Sequence, residues 1–143
     1  MKSDIRQKVA KLLNSVELRR TGPRAAILAA LLGAGKPITA EQIATKLGRA
    51  GPDKVTIYRT LENFVKAGLV HKAFLQERTW YFEPAQNCTK TQCHPHFTCT
   101  NCGNTHCLPD IIFPMAKSPH KGFLIRHQRV QLEGLCPGCN PNI

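Results

Sequence analysis

Between Cys88 and Cys107, twenty residues carry five of the chain's seven cysteines and three of its six histidines. Burying that much thiol and imidazole by packing alone would demand a partner for every polar atom. Thiolate and imidazole together form the donor set that suits zinc. Cys99-x-x-Cys102-Gly103 reads as a tight turn that aims two sulfurs at one ion, and Cys136-Pro137-Gly138-Cys139 is its mate near the far end of the chain. Four thiolates close a tetrahedron and leave no open position, so Cys99, Cys102, Cys136 and Cys139 form a candidate structural Zn²⁺ site. Two disulfides or four free thiols are the alternative; in a reducing compartment closely spaced cysteine pairs favour metal.

What positions such residues is a chain of 143 residues with 42% apolar content, enough for one domain or two small ones. The formal charge of +11 is uneven. Residues 1–83 hold 15 Lys and Arg against 7 Asp and Glu, and residues 84–143 hold 5 against 2. A basic first half and a ligand-rich second half suggest two tasks, the first of them binding a polyanion such as nucleic acid. The opening residues lack the apolar core of a signal peptide. No apolar run approaches the ~18 residues that span a bilayer, so the expectation is a soluble, cytoplasmic protein with no membrane partner.

Residues 3–17 carry a helical apolar stripe at Ile5, Val9, Leu12, Leu13 and Val16. Thr21 or Gly22 caps a second helix with Pro23 in its first turn, running through Ala25–Leu32 to Gly33 and Gly35. Thr39 and Gln42 have the spacing of a capping box and open a short helix to Leu47. After a turn over 48–52, Asp53 caps a helix from Lys54 to Lys66 with an apolar set at Val55, Ile57, Leu61, Phe64 and Val65. Its other face shows Lys54, Thr56, Tyr58, Arg59 and Asn63, and Gly68 ends it. Two helices joined by a turn, the second with such a face, fit a helix-turn-helix. A three-helix core with a merely solvated basic face fits the same periodicity. Leu69–Leu75 and Thr79–Glu83 read as a hairpin wing, and 84–92 as a hinge. In the second half, short strands are expected at Phe97–Thr100, Phe123–Ile125 and Val130–Glu133, and one helix at Pro109–Lys117, limited or kinked by Pro114.

Several of these segments together resemble a known family. Pro23-Arg24, Thr39-Ala40-Glu41, Val55-Thr56-Ile57-Tyr58-Arg59-Thr60-Leu61 and Gly68-Leu69-Val70 resemble the DNA-binding half of the ferric uptake regulator family. His94-x-His96-x-x-Cys99-x-x-Cys102-Gly103, Gly122-Phe123, His127 and Gly134-Leu135-Cys136-x-x-Cys139 resemble its dimerisation half. The matches run in family order from about residue 17 to residue 139. The resemblance implies an α+β protein: an N-terminal winged helix-turn-helix domain over 1–83, then a small α/β dimerisation domain over 84–143 with a four-cysteine zinc site. It further implies a homodimeric, metal-activated transcriptional repressor of metal uptake genes, acting on a double-stranded DNA operator, with no small organic substrate. Val70-His71-Lys72, Cys88 ahead of the His-x-His pair, and the long Phe123-to-Cys136 spacing look most like the zinc uptake regulator branch. The absence of Asp or Glu between Glu83 and Asp110 agrees, since a thiolate and imidazole set favours Zn²⁺ over Fe²⁺ or Mn²⁺.

By the same resemblance, His71, Cys88, His94 and His96 form a regulatory Zn²⁺ site whose ion fixes the angle between the domains. Metal and DNA then favour one arrangement, which is an allosteric coupling. His94 and His96, two apart on an extended segment, leave it on the same side. Cys107 falls where family members often place an acidic ligand, and Cys93 and His127 where some carry a further metal. The resemblance places helix 54–66 in the major groove of an AT-rich palindrome, with Tyr58 and Arg59 approaching bases beside Thr56. Arg19 reaches toward the minor groove, and Arg20, Arg24 and Lys54 bind phosphate.

Two rival classes are open to the same residues. A family regulator answering another metal, or oxidant through Cys88, Cys93 or Cys107, needs only reactive thiols. A zinc-dependent enzyme is remote: a deaminase requires a His-x-Glu element and Pro-Cys-x-x-Cys, and the chain has neither.

Overall fold

The computed structural model of the chain describes residues 2–85, 94–117 and 121–142. The polypeptide divides into two compact units, Met1–Gln86 and Asn87–Ile143. The hinge expected over 84–92 lies mostly outside the described residues. No helix among the described residues is long and apolar enough to cross a membrane.

Four helices and one small sheet build the first unit. Helix α1 (Lys2–Ser15) turns its Val9 and Leu13 inward. Helix α2 (Gly22–Ala34) begins where the Thr21 hydroxyl accepts the Arg24 amide, with proline in its first turn, and ends only at Gly35, at φ 67°; Gly33 stays helical. A two-residue strand, β1 (Ile38–Thr39), leads into α3 (Ala40–Leu47). There the Thr39 side chain accepts the Gln42 amide while the Gln42 side chain accepts the Thr39 amide, a reciprocal cap that satisfies two otherwise orphaned donors. Helix α4 (Lys54–Ala67) starts at Asp53, whose carboxylate accepts the Thr56 amide at 2.9 Å. It stops at Gly68, whose φ of 81° favours a residue without a Cβ. Ile27, Leu28, Leu31, Ile43, Ile57, Leu61 and Phe64 are almost wholly buried at the centre of these helices.

Strands β2 (Val70–Gln76) and β3 (Thr79–Pro84) form the antiparallel wing. Glu77 and Arg78, both at positive φ, make the two-residue turn that matches strand twist. A register shift between Lys72 and Phe74 lets consecutive Ala73 and Phe74 both face inward. β1 pairs with β3, giving the order β1-β3-β2. A two-residue strand shows no alternation, so it leaves no periodic signal in the sequence.

The second unit is a three-stranded sheet of order β5-β4-β6. β4 (His96–Cys99) is central, antiparallel to β5 (Thr105–Cys107) and parallel to β6 (Gln131–Gly134). Three expectations need correction here. β5 takes a place the sequence reading left empty. Phe123–Ile125 is not a strand: the sheet ends at β5 and β6, and Phe123 and Leu124 stay exposed. Pro109–Lys117 is not helical, because prolines at 109 and 114 remove amide donors from a nine-residue stretch that has too few to begin with. The fold as a whole matches the α+β winged-helix and α/β reading.

Candidate metal centres and nucleic-acid face

Two turns present the four sulfurs. Cys99 ends β4, and the chain folds back through Gly103, at φ 76°, so that the Gly103 amide donates to the Cys99 carbonyl at 2.9 Å. The second turn follows β6, where the Cys139 and Asn140 amides donate to the Cys136 carbonyl at 3.0 and 2.8 Å. The Thr100 amide, on the Gly134 carbonyl at 2.8 Å, joins the first turn to the end of β6. The parallel pairing of β4 and β6 therefore carries both turns to the same end of the sheet. Cys99, Cys102, Cys136 and Cys139 bring their sulfurs within 4.8 Å of one another.

Cys102 and Cys136 sulfurs lie 3.8 Å apart, too far for a disulfide, and all four are free thiols. A tetrahedron with metal–sulfur bonds of about 2.3 Å has an edge of about 3.8 Å, so the spacing suits one zinc ion. Electrostatics point the same way. Backbone amides of Cys102 and Cys136 aim at the Cys99 sulfur from 3.5 and 3.4 Å, and these donors lower its thiol to about 6. The Asn104 amide pulls Cys102 down, but hydrogen bonding with Cys99, burial and the neighbouring Cys136 and Cys139 thiols outweigh it and lift Cys102 to about 11. Without a cation the cluster holds one thiolate readily and resists more; a divalent ion would remove that repulsion. The Asn101 side chain donates to Cys139 from 3.3 Å.

A second group lies on the same sheet. His96 and Cys107 are register partners across β4 and β5, so their side chains share a face, and His94 stands two residues upstream. Ligand atoms of His94, His96 and Cys107 come within 4.8 Å of one another. The two imidazoles are 4.9 Å apart between ring centres, and His96 is only 1% exposed. Nitrogen and sulfur gathered on a buried face make a second candidate metal site.

His71 sits in the first unit, on β2, opposite Glu83 of β3. Its Nε2 lies 2.7 Å from the Glu83 carboxylate, and both side chains are largely buried. Glu83 is the residue the sequence reading missed. No sequence pattern signals it: the turn alone would set His71 opposite Pro84, and the register shift between Lys72 and Phe74 faces it to Glu83. Cys88 and Cys93 fall outside the described residues. His127 is half-buried ahead of β6 and joins neither group.

On α4, Lys54, Tyr58 and Arg59 are exposed and Thr56 half-buried, an open face over a core of Ile57, Thr60, Leu61 and Phe64. Val55 departs from expectation: placed in the buried set by periodicity, it is 56% exposed, because the core closes with Ile57 and leaves the first turn outside. Arg19 and Arg20 are exposed in the loop before α2, and the Arg24 guanidinium donates to the Arg19 carbonyl at 2.8 Å, bracing that loop. Lys54 pairs loosely with Glu41 at 3.5 Å, both largely exposed.

Comparison with known proteins gives consistent matches. The sequence profile of the ferric uptake regulator family matches residues 15–132. The transcriptional regulator FurA of Mycobacterium tuberculosis (strain H37Rv) is 29% identical over 141 residues, covering 92% of this chain and 89% of that protein. A zinc uptake regulator solved with zinc and DNA superposes with a TM-score of 0.67 at 21% identity, over 95% of this chain and 93% of the other. The ferric uptake regulator of Vibrio cholerae superposes with a TM-score of 0.63 at 22% identity, over 88% and 98%.

Proposed function

The chain belongs to the ferric uptake regulator family, and from that premise we propose that it is a zinc-responsive repressor acting as a homodimer on a palindromic, AT-rich operator. The family comprises transcriptional regulators and not enzymes, so the hydrolytic alternative is set aside. Zinc is the finer part of the reading. The observation that carries it is the donor set of the second unit: four sulfurs in one group, two imidazoles and a sulfur in the other. Softer donors select Zn²⁺ over Fe²⁺ and Mn²⁺.

Cys99, Cys102, Cys136 and Cys139 hold a permanent ion. His94 and His96, with Cys107 and Cys88, take the regulatory one, and His71 keeps the ligating role proposed from the sequence. An ion supplies positive charge that fixes these side chains in one arrangement. DNA affinity rises if that arrangement is also the one DNA prefers. Ile112, Phe123 and Leu124, exposed by 88, 66 and 75%, offer apolar surface for a second copy, and two copies read two half-sites. Arg59 makes the bidentate contact to guanine, Arg19 reaches toward the minor groove, and Arg20, Arg24 and Lys54 neutralise phosphates.

Fluorescence anisotropy on an AT-rich palindromic duplex, in zinc-buffered reducing solution with Fe²⁺ and Mn²⁺ as comparators, tests the reading. Binding should tighten over a narrow range of free zinc. His96→Ala and Cys88→Ser should abolish that response while one tightly held zinc per chain remains, and Arg59→Ala should weaken binding by about 1–3 kcal/mol, fivefold or more. Affinity indifferent to zinc beyond the first ion would reject zinc sensing. A second reading rests on Cys107, half-exposed beside imidazoles: oxidant then releases DNA at saturating zinc, and Cys107→Ser removes the effect.

A further inference from the structure

The exposure of Val55 calls for a role that folding does not supply. Ile57, Leu61 and Phe64 are wholly buried, so the core closes without it. A β-branched residue is also a poorer helix former than alanine, and here it gains little burial in return. It stands in the first turn of α4, three residues before Tyr58 and four before Arg59, which places all three on one face near the helix N-terminus. Tyr58 is 48% exposed on that face. Lys54 precedes Val55, the capping Asp53 carboxylate is engaged by the Thr56 amide, and α4 itself has no acidic residue before Glu62.

Resting on the reading of α4 as the major-groove helix, we propose that Val55 is a specificity-determining residue that packs its methyl groups against the 5-methyl of a thymine in each half-site. The first turns of a groove-bound helix reach base edges. Among the features a base pair shows in the major groove, the thymine methyl is the apolar one. Val55 has no donor or acceptor, so it cannot read guanine, adenine or cytosine by hydrogen bonding. It distinguishes thymine by removing two apolar groups from water together. Cytosine at the same place lacks the 5-methyl, so the valine would face only a ring C–H there and gain no apolar contact. Arg59 and Val55 thus read different base pairs through different physics, one turn of helix apart.

The test begins with duplexes that the full-length, zinc-loaded protein itself selects from a randomised pool. In the selected duplex each thymine is replaced in turn by deoxyuridine, which deletes the methyl and nothing else. At one position per half-site the replacement should weaken wild-type binding about fourfold, the worth of one buried methyl. Val55→Ala should lose about the same factor on the thymine duplex and show no further loss on the uridine duplex. Being exposed, that substitution leaves the core intact, and a thermal melt verifies it. Equal sensitivity of wild type and Val55→Ala at every thymine would overturn the proposal. So would a methyl response that disappears in Tyr58→Ala and persists in Val55→Ala. Failure of the wild type to select any sequence, or an Arg59→Ala variant binding as well as wild type, would remove α4 from the groove and the proposal with it.

Discussion

Cys99 and Cys102 are three residues apart and are driven in opposite directions by their surroundings. Two backbone amides stabilise a thiolate at Cys99, whereas at Cys102 the Asn104 amide is outweighed by Cys99, burial and the other thiols. The folded value of about 6 for Cys99 lies below the ordinary 9, so its ionisation stabilises the folded second unit. That contribution is complete above about pH 9 and is lost as the pH falls through about 6. In the loaded protein, acid competes with the ion for the same sulfurs, and zinc retention weakens as pH drops.

Caps and prolines decide where elements begin and end. The Thr39–Gln42 box stands between β1 and α3 and carries two hydrogen bonds, at 3.1 and 2.9 Å. Thr39 is itself only 6% exposed. Thr39→Ala should lower stability by about 1 kcal/mol in urea denaturation, because the Gln42 amide loses its acceptor. A change within error would mean that β1 pairing with β3, and not the cap, sets the start of α3. In the second unit the reverse holds: Pro109 and Pro114 withhold a helix from a segment whose Ile112 is left 88% exposed.

At the scale of the molecule, the two units are held together by different means. The first has an aliphatic and aromatic core. Among the described residues of the second, the buried side chains are Pro95, His96, Thr98, Cys99 and Cys136. A unit this small with so little apolar burial needs another source of stability, and a tetrathiolate ion at the end of its sheet supplies it. Stripping metal with a strong chelator under reducing conditions should open the second unit to hydrogen exchange while α2 and α4 stay protected. Cys136→Ser should do the same without chelator. Equal protection of both units in the metal-free protein would show that the second unit folds without an ion.

Spacing alone determined the four-sulfur group, the caps of α3 and α4 and the two strands of the wing, because each depends on residues a few positions apart whose chemistry permits few alternatives. The family likeness followed from the order of those same segments. Tertiary structure decided the rest. Cys107 joins His94 and His96 through a strand of three residues, too short for alternation to show. Glu83 meets His71 only because the hairpin register opposes them. Val55 faces outward because the core was already full, and burial is a property of the packed whole that periodicity along one helix does not contain.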